Sequence, residues 1–163
     1  MSHQATLERL RERFPEQGLE QQEGIDFTII VPAARIVEVS HVLREDLGYD
    51  LLSNLTAVDR PDAFEVVYHL YSIWNPAPPL ALKVRLTDKE DPRLPSVTSV
   101  WQGANLQERE VYDLFGIVFE GHPRLERILL WEGFPGHPLR KDFVNRVYSH
   151  EELRPTLPPE LER

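Results

Sequence analysis

The chain has 163 residues, of which 41% are hydrophobic and 28% charged, with a formal net charge of −9 and no cysteine. That length supports one domain with a real core, and the acidity speaks against a nucleic-acid footprint, which is basic. The missing thiols exclude disulfides, a cysteine nucleophile, cysteine-ligated zinc and thiolate-held iron–sulfur clusters.

In chain order, Leu7, Leu10 and Phe14 are spaced three and four apart, which predicts an amphipathic helix over Thr6–Phe14 that stops at Pro15. Residues 17–24 read as a polar loop. Phe27-Thr28-Ile29-Ile30-Val31 is rich in β-branched residues and predicts a strand, and Pro32 suits a first helical turn. Ile36, Val39, Leu43 and Leu47 make one helical face closed by Gly48. Tyr49–Val58 is a second strand candidate, weakened by Ser53-Asn54, and Asp59-Arg60-Pro61-Asp62 is a turn. Phe64, Val66, Tyr68 and Leu70 alternate with Glu65, Val67, His69 and Tyr71, the period of a strand. After the proline-rich loop 75–79, Leu80, Leu82, Val84 and Leu86 repeat that period with one buried and one wet face.

Thr87–Pro95 reads as a charged loop. Ser96 is placed to cap a helix through Val97 and Val100 towards Trp101, and Asn105 to cap a second helix that ends at Gly116. On that second helix Arg109, Glu110 and Asp113 share one face, while Glu108 falls beside Tyr112 and Phe115 on the apolar side, where a carboxylate must be paired, hydrogen-bonded or neutralised. Ile117-Val118-Phe119 is a short extended run. Beyond it, the two turns Gly121-His122-Pro123 and Gly136-His137-Pro138 frame a segment with no clean period, which is expected to lie along something else. The order of elements predicts an α+β fold: a two-layer domain over residues 1–120, with helices on one face of a mixed or antiparallel sheet, followed by an irregular, extended C-terminal arm over 121–163.

Three groups of residues carry candidate chemistry. His122 and His137, with Glu108, Glu110 or Asp113, have ligand-type side chains, but no pair stands at the i, i+4 spacing common on metal-binding helices, so turn histidines bonded to backbone or a carboxylate are the plainer reading. Glu108-Arg109-Glu110 could supply an acid and a base, form an ordinary charged helix face in which Arg109 meets Asp113 at i, i+4, or pair with a basic partner surface. The third reading is preferred, because an unpaired Glu108 on the apolar side would be costly. Arg140-Lys141-Asp142 could hold an anion, or pair with a partner carboxylate through Arg140. Trp131, Phe134 and Phe143 suit anchors of an interface, whereas Trp101 reads equally well as core. There is no nucleotide fingerprint, nucleophile elbow or phosphate loop.

The run Glu108-Arg109-Glu110, Tyr112-Asp113-Leu114-Phe115-Gly116-Ile117, Gly121-His122-Pro123, Arg127-Ile128-Leu129 and Gly136-His137-Pro138-Leu139-Arg140-Lys141-Asp142 resembles the 30 kDa (C) subunit of respiratory complex I. Leu55-Thr56-Ala57-Val58-Asp59 and Asp91-Pro92-Arg93-Leu94-Pro95-Ser96-Val97 extend the resemblance over roughly residues 25 to 143. Two positions depart from it: Glu126 stands where the family usually has a basic residue, and Val144 where it often has proline. The stretch after Val144 is short, so the longer extension of some relatives is expected to be missing.

The resemblance implies a non-redox structural subunit of the peripheral arm of proton-pumping NADH:quinone oxidoreductase, itself non-catalytic and without cofactor. FMN and the iron–sulfur clusters would lie in partner subunits. The implied partners are the 49 kDa (D) subunit, the B subunit and the iron–sulfur subunits of the arm, held in register through an interface of Glu108, Arg109, Glu110, Tyr112, Asp113, His122, Arg127, His137, Arg140, Lys141 and Asp142. No apolar run approaches the ~20 residues of a membrane span, and Met1-Ser2-His3-Gln4-Ala5 shows no leader pattern. The expected place is therefore the cytoplasmic side of the membrane, peripheral, through the complex. Similar subunits of membrane-bound hydrogenases, formate hydrogenlyase and the ferredoxin-dependent photosynthetic complex are the alternative, and a stand-alone histidine-based metal hydrolase the remote one.

Overall fold

Three strands that alternate cleanly in sequence form the centre of the sheet. In the computed structural model, which describes residues 2–149 apart from 16, 17, 23, 25 and 76, β3 (Leu51–Asp59), β4 (Phe64–Tyr71) and β5 (Leu80–Leu86) make an antiparallel meander. β2 (Thr28–Ile30) adds parallel to β5, and β1 (Glu20–Gln22) adds antiparallel to β2, giving the order β1-β2-β5-β4-β3. Register puts Phe64 opposite Leu86, Val66 opposite Val84, Tyr68 opposite Leu82 and Leu70 opposite Leu80, so one face is apolar throughout. The other face carries Glu65 opposite Arg85, and Lys83 beside Glu65 at 3.3 Å.

The apolar face is covered by helices. α1 (His3–Arg13) buries Leu7 and Leu10, and α2 (Ile36–Glu45) buries Ile36, Val39 and Leu43, all in one cluster with the sheet residues. α1 starts three residues earlier than its apolar spacing indicates, because Ser2 caps it by accepting the Ala5 N–H at 3.2 Å. Pro32 precedes a 3₁₀ turn, Ala33–Arg35, that feeds α2. The Trp101 indole lies in the core and donates to the Tyr49 carbonyl at 3.1 Å.

Four sequence expectations change. The polar loop 17–24 contains β1, whose residues are all exposed and so carry no alternation to read. The charged loop 87–95 ends in β6 (Arg93–Pro95), which pairs parallel with β7 (Val118–Glu120), a partner some 25 residues downstream. Ser96–Trp101 makes one turn and no helix: the N–H groups of Val100 and Trp101 both go to the Val97 carbonyl. α3 (Ala104–Phe115) has Gly103 at its N-cap, so Asn105 lies inside it and does not cap it.

β3 is an edge strand of the five-stranded sheet, and two features break its regularity. Ser53 forms a bulge where the pairing register shifts, its hydroxyl donating to the His69 carbonyl at 3.1 Å. Two residues on, the Leu55 N–H is taken by the Gln107 side chain of α3 at 2.5 Å.

Candidate partner-docking surface

The end of α3 is completed by the segment that follows it. A helix leaves its last four carbonyls without intrahelical donors. Here Tyr112 O accepts from Gly116 N at 2.8 Å, Asp113 O from His137 Nδ1 at 2.9 Å, Leu114 O from Leu139 N at 3.1 Å, and Phe115 O from Arg140 Nε at 2.5 Å. Gly116 adopts φ +71°, and a Cβ on it would lie 2.5 Å from the His137 ring and 2.8 Å from Arg140, so only glycine admits this approach. The arm, expected to lie along something else, folds through Phe143 onto α3 of its own chain; residues 150–163 lie outside the described residues.

Asp113 is the anchor of this packing. The helical spacing groups it with Arg109 and Glu110 on one charged face, yet it is fully buried while Glu110 is exposed. Its Oδ2 accepts three successive backbone N–H groups, from Ile128 at 3.1 Å and from Leu129 and Leu130 at 2.9 Å, and Oδ1 meets Arg127 Nη1 at 2.7 Å. Arg127 carries the link onward to the carbonyls of Phe134 and Gly136. Burial alone would raise the Asp113 pKa, but these donors together hold it below the ordinary carboxylate value. Asp113 therefore pairs with Arg127, not with Arg109 at i, i+4. Arg109 instead reaches the Glu126 carbonyl at 3.1 Å and its carboxylate at 3.3 Å, and Glu126 also meets Arg124 at 2.7 Å. The acidic residue at 126 thus forms a local ion-pair bridge.

Burial, with the nearby guanidinium groups of Arg127 and Arg140, outweighs the bond of His137 to the Asp113 carbonyl and lowers its pKa. Its ring contacts Tyr112 edge to face. Arg140 also stands over the Phe64 ring, 5.1 Å from its centre, with Lys89 at 5.0 Å. Asp59, at the end of β3, is buried and accepts from Lys89 and, at 2.8 Å, from the Lys141 N–H. The side chains of Lys141 and Asp142 face solvent. Asp59 and Lys89 carry no role in the sequence reading; the one pointer is that Asp59 ends a strand otherwise apolar on that face.

Glu108 and His122 form a second, separate cluster. Glu108 is fully buried within the chain, so its partners are internal: Ser96 Oγ donates at 2.6 Å and Val97 N–H at 2.7 Å. His122 Nδ1 accepts the Arg124 N–H, which fixes Nε2–H as the donor to the Asn105 carbonyl at 3.0 Å, and leaves Nε2 4.0 Å from Glu108. Burial raises the Glu108 pKa to about 7 against its two hydrogen bonds. The Tyr68 hydroxyl, buried without a partner among the described residues, is pushed well up by burial and by the Glu108 charge. Each histidine thus serves backbone, and among the described residues no three histidine or acidic side chains are arranged to hold a metal.

What these anchors present outward is apolar. Ile128, Leu129, Trp131 and Leu139 are 37 to 60% exposed, and Trp131 stacks edge-on to Phe134, which stacks on Phe143. Beside them lies a cleft of about 420 Å³ lined by Tyr112, Leu125, Arg127 and Leu130 with Glu126 and Glu132. The patch thus sets exposed aromatic and aliphatic side chains beside charged ones, a composition common in protein contact surfaces.

Known proteins match over the same span. The family model described as the 30 kDa subunit of respiratory-chain NADH dehydrogenase covers residues 29–149. The C subunit of NADH-quinone oxidoreductase from Moorella thermoacetica is 45% identical over 140 residues, 84% of this chain and 92% of that protein. A solved trypsin-resistant fragment of Nqo5 (1–134) superposes with TM-score 0.59 at 37% identity, over 74% of this chain and 99% of the fragment. A chain of an archaeal respiratory membrane complex, the membrane-bound sulfane sulfur reductase, superposes with TM-score 0.71 at 28% identity, over 86% of this chain and 85% of that one. On residues 29–149 and on this identity, the chain belongs to the family of the 30 kDa (C) subunit of respiratory-chain NADH dehydrogenase.

Proposed function

We propose that this chain is a non-redox structural subunit of proton-pumping NADH:quinone oxidoreductase, which holds partner chains in register through the surface built by α3 and the arm. The observation that carries the reading is the Asp113 anchor. It fixes an apolar, aromatic surface in place before any partner arrives, and a preorganised surface loses less on binding. The partners proposed are the 49 kDa (D) and B subunits and the iron–sulfur subunits of the peripheral arm, with FMN and the clusters in those chains. The proposed place is peripheral, on the cytoplasmic side of the membrane; no described helix is long and apolar enough to cross one. Of the residues expected at the interface, Glu110, Lys141 and Asp142 are open to solvent, Asp113, His137 and Arg140 hold the arm from behind the surface, and Glu108 pairs inside the chain with Ser96 and Val97, apart from it.

The test is complex yield and quinone reductase activity in membranes carrying Trp131→Ala. Both should fall together, with the melting of the isolated chain unchanged. Full assembly with lost turnover would sink the structural reading. A second reading follows from the likeness to the sulfane sulfur reductase chain: an equivalent subunit of a related complex with another electron donor, such as a membrane-bound hydrogenase. Identification of the chains that co-purify decides between the two.

A further inference from the structure

Among the described residues the buried acids are Asp59, Glu65, Glu108 and Asp113, and Glu108 is held differently from the rest. Asp59 meets Lys89, Glu65 meets Arg60 and Lys83, and Asp113 meets Arg127. The one basic side-chain nitrogen within 4.0 Å of Glu108, among the described residues, is His122 Nε2. That imidazole accepts at Nδ1 and donates from Nε2, so it carries no charge. The other elements around Glu108 bring none either. β4 contributes the Tyr68 hydroxyl, and β3, which packs on α3, turns Leu55 and Ala57 to the core. On α3 itself, Arg109 turns away to Glu126 and Glu110 to solvent. A buried carboxyl without a counter-charge favours its protonated form, in keeping with the rise of Glu108 to about 7.

A fully buried group ordinarily exchanges its proton only when the structure around it opens. Glu108 has a shorter route. Its Oε2 lies 2.6 Å from Ser96 Oγ, and Ser96 Oγ lies 2.8 Å from Thr98 Oγ1, which is half-buried and so within reach of water. Ser96 Oγ also accepts the Thr98 N–H at 3.2 Å, and Glu108 Oε1 accepts the Val97 N–H in either state. The Ser96 hydroxyl has one proton and two lone pairs, and both protonation states of Glu108 use all three. With Glu108 ionised, Ser96 donates to Oε2 and accepts from the Thr98 hydroxyl and N–H. With Glu108 protonated, Ser96 accepts from the carboxyl and from the Thr98 N–H and donates to Thr98 Oγ1. Uptake therefore balances: water protonates Thr98 Oγ1, Thr98 passes its own hydroxyl proton to Ser96, and Ser96 passes its own to Oε2. Each hydroxyl ends with one proton, and the carboxylate gains one.

We propose that Glu108 is a proton-exchange site of the folded chain, served by a two-hydroxyl relay through Ser96 and Thr98. It makes the joint between the 96–98 turn and α3, beside His122 at the root of the arm, proton-linked without unfolding. It holds for the chain alone and does not depend on the subunit reading. The test is infrared spectroscopy of the full chain, in which a protonated carboxyl has its own carbonyl band. That band should be present at about pH 5, absent in Glu108→Gln, and lost after a rapid jump to about pH 8. In the wild type its loss should outpace the opening of the turn, read from hydrogen exchange at the Val97 N–H. Thr98→Val keeps the side-chain shape without the hydroxyl and should slow the loss at least about tenfold, to the same end point, because exchange then waits on opening. Thr98→Ser should restore the rate. A band that Glu108→Gln leaves in place, loss no faster than the opening of the turn, or a Thr98→Val chain as fast as wild type overturns the proposal. Should Thr98→Val fail to fold, the wild-type comparison with Val97 decides alone.

Discussion

Arg140 Nε donates to the Phe115 carbonyl at 2.5 Å, so the last turn of α3 is closed by a side chain that arrives 25 residues later. The same guanidinium lies over Phe64, which joins helix, sheet and arm at one point. Arg140→Ala should lower stability by about 2 kcal/mol, the scale of a hydrogen bond to a charged group with its favourable placement at a helix C-terminus. Arg140→Lys should recover less than half of this, because an ammonium lacks the planar fork. Denaturant unfolding of the isolated chain measures both.

Removal of the chain after Glu120 should lower the melting temperature strongly and broaden the transition. A split at residue 120 suggests a self-sufficient base, but residues 121–143 supply the donors for the carbonyls of Asp113, Leu114 and Phe115. They also supply Arg127 and the three backbone N–H groups that satisfy the buried Asp113 carboxylate. A chain ending at Phe143 should melt close to the full chain. Equal melting of the two truncations would show that the arm is dispensable to the fold.

Asp113→Asn should be among the most damaging single changes. It leaves Arg127 without its counter-charge in a buried setting and puts an amide N–H₂ where N–H groups converge, which together cost about 3–5 kcal/mol. The pH dependence follows from direction. Asp113 and Asp59 have folded pKa values below their ordinary 3.8 despite burial, so the stability they contribute is fully present above about pH 4 and is lost as pH falls through the lower folded values. Wild type should unfold in acid below about pH 4, and Asp113→Asn should show a shallower loss there.

Glu108 works with the opposite sign. Its folded pKa rises from 4.5 to about 7, so the folded chain binds the extra proton between those values and stability falls as pH rises through that window, by about 3 kcal/mol. Glu108→Gln keeps the shape: its amide donates to Ser96 Oγ while its carbonyl accepts the Val97 N–H. The variant should lose the slope between pH 4.5 and 7 and match or exceed wild type at about pH 8. Melting curves at several pH values check this, and an unchanged slope would place the titrating group elsewhere.

The sheet centre was legible because β4 and β5 alternate over seven or eight residues, and α2 because Ile36, Val39 and Leu43 keep helical spacing to the core. Gly116 as the end of α3 was legible from its freedom at positive φ. β1 and β6 were not, since a three-residue strand is defined by its partner and not by its own pattern. The burial of Glu108 could be read from its place among apolar neighbours. That of Asp113 could not, since the groups that bury it come from a loop without period, 15 to 17 residues on. His137 and Arg140 stood out as residues, but their task as donors to a helix end emerges only once the chain has turned back.

The Ser53 bulge and the Gln107 amide on the Leu55 N–H bear on the time before assembly. A long edge strand with open N–H groups is a template on which other chains add, the usual start of aggregation. On β3 the kink breaks the straight run and a side chain occupies one of its donors. On the opposite edge, β1 is only three residues long and carries Glu20, Gln21 and Gln22. A chain made ahead of its partners therefore offers them side-chain surfaces while withholding its backbone from copies of itself.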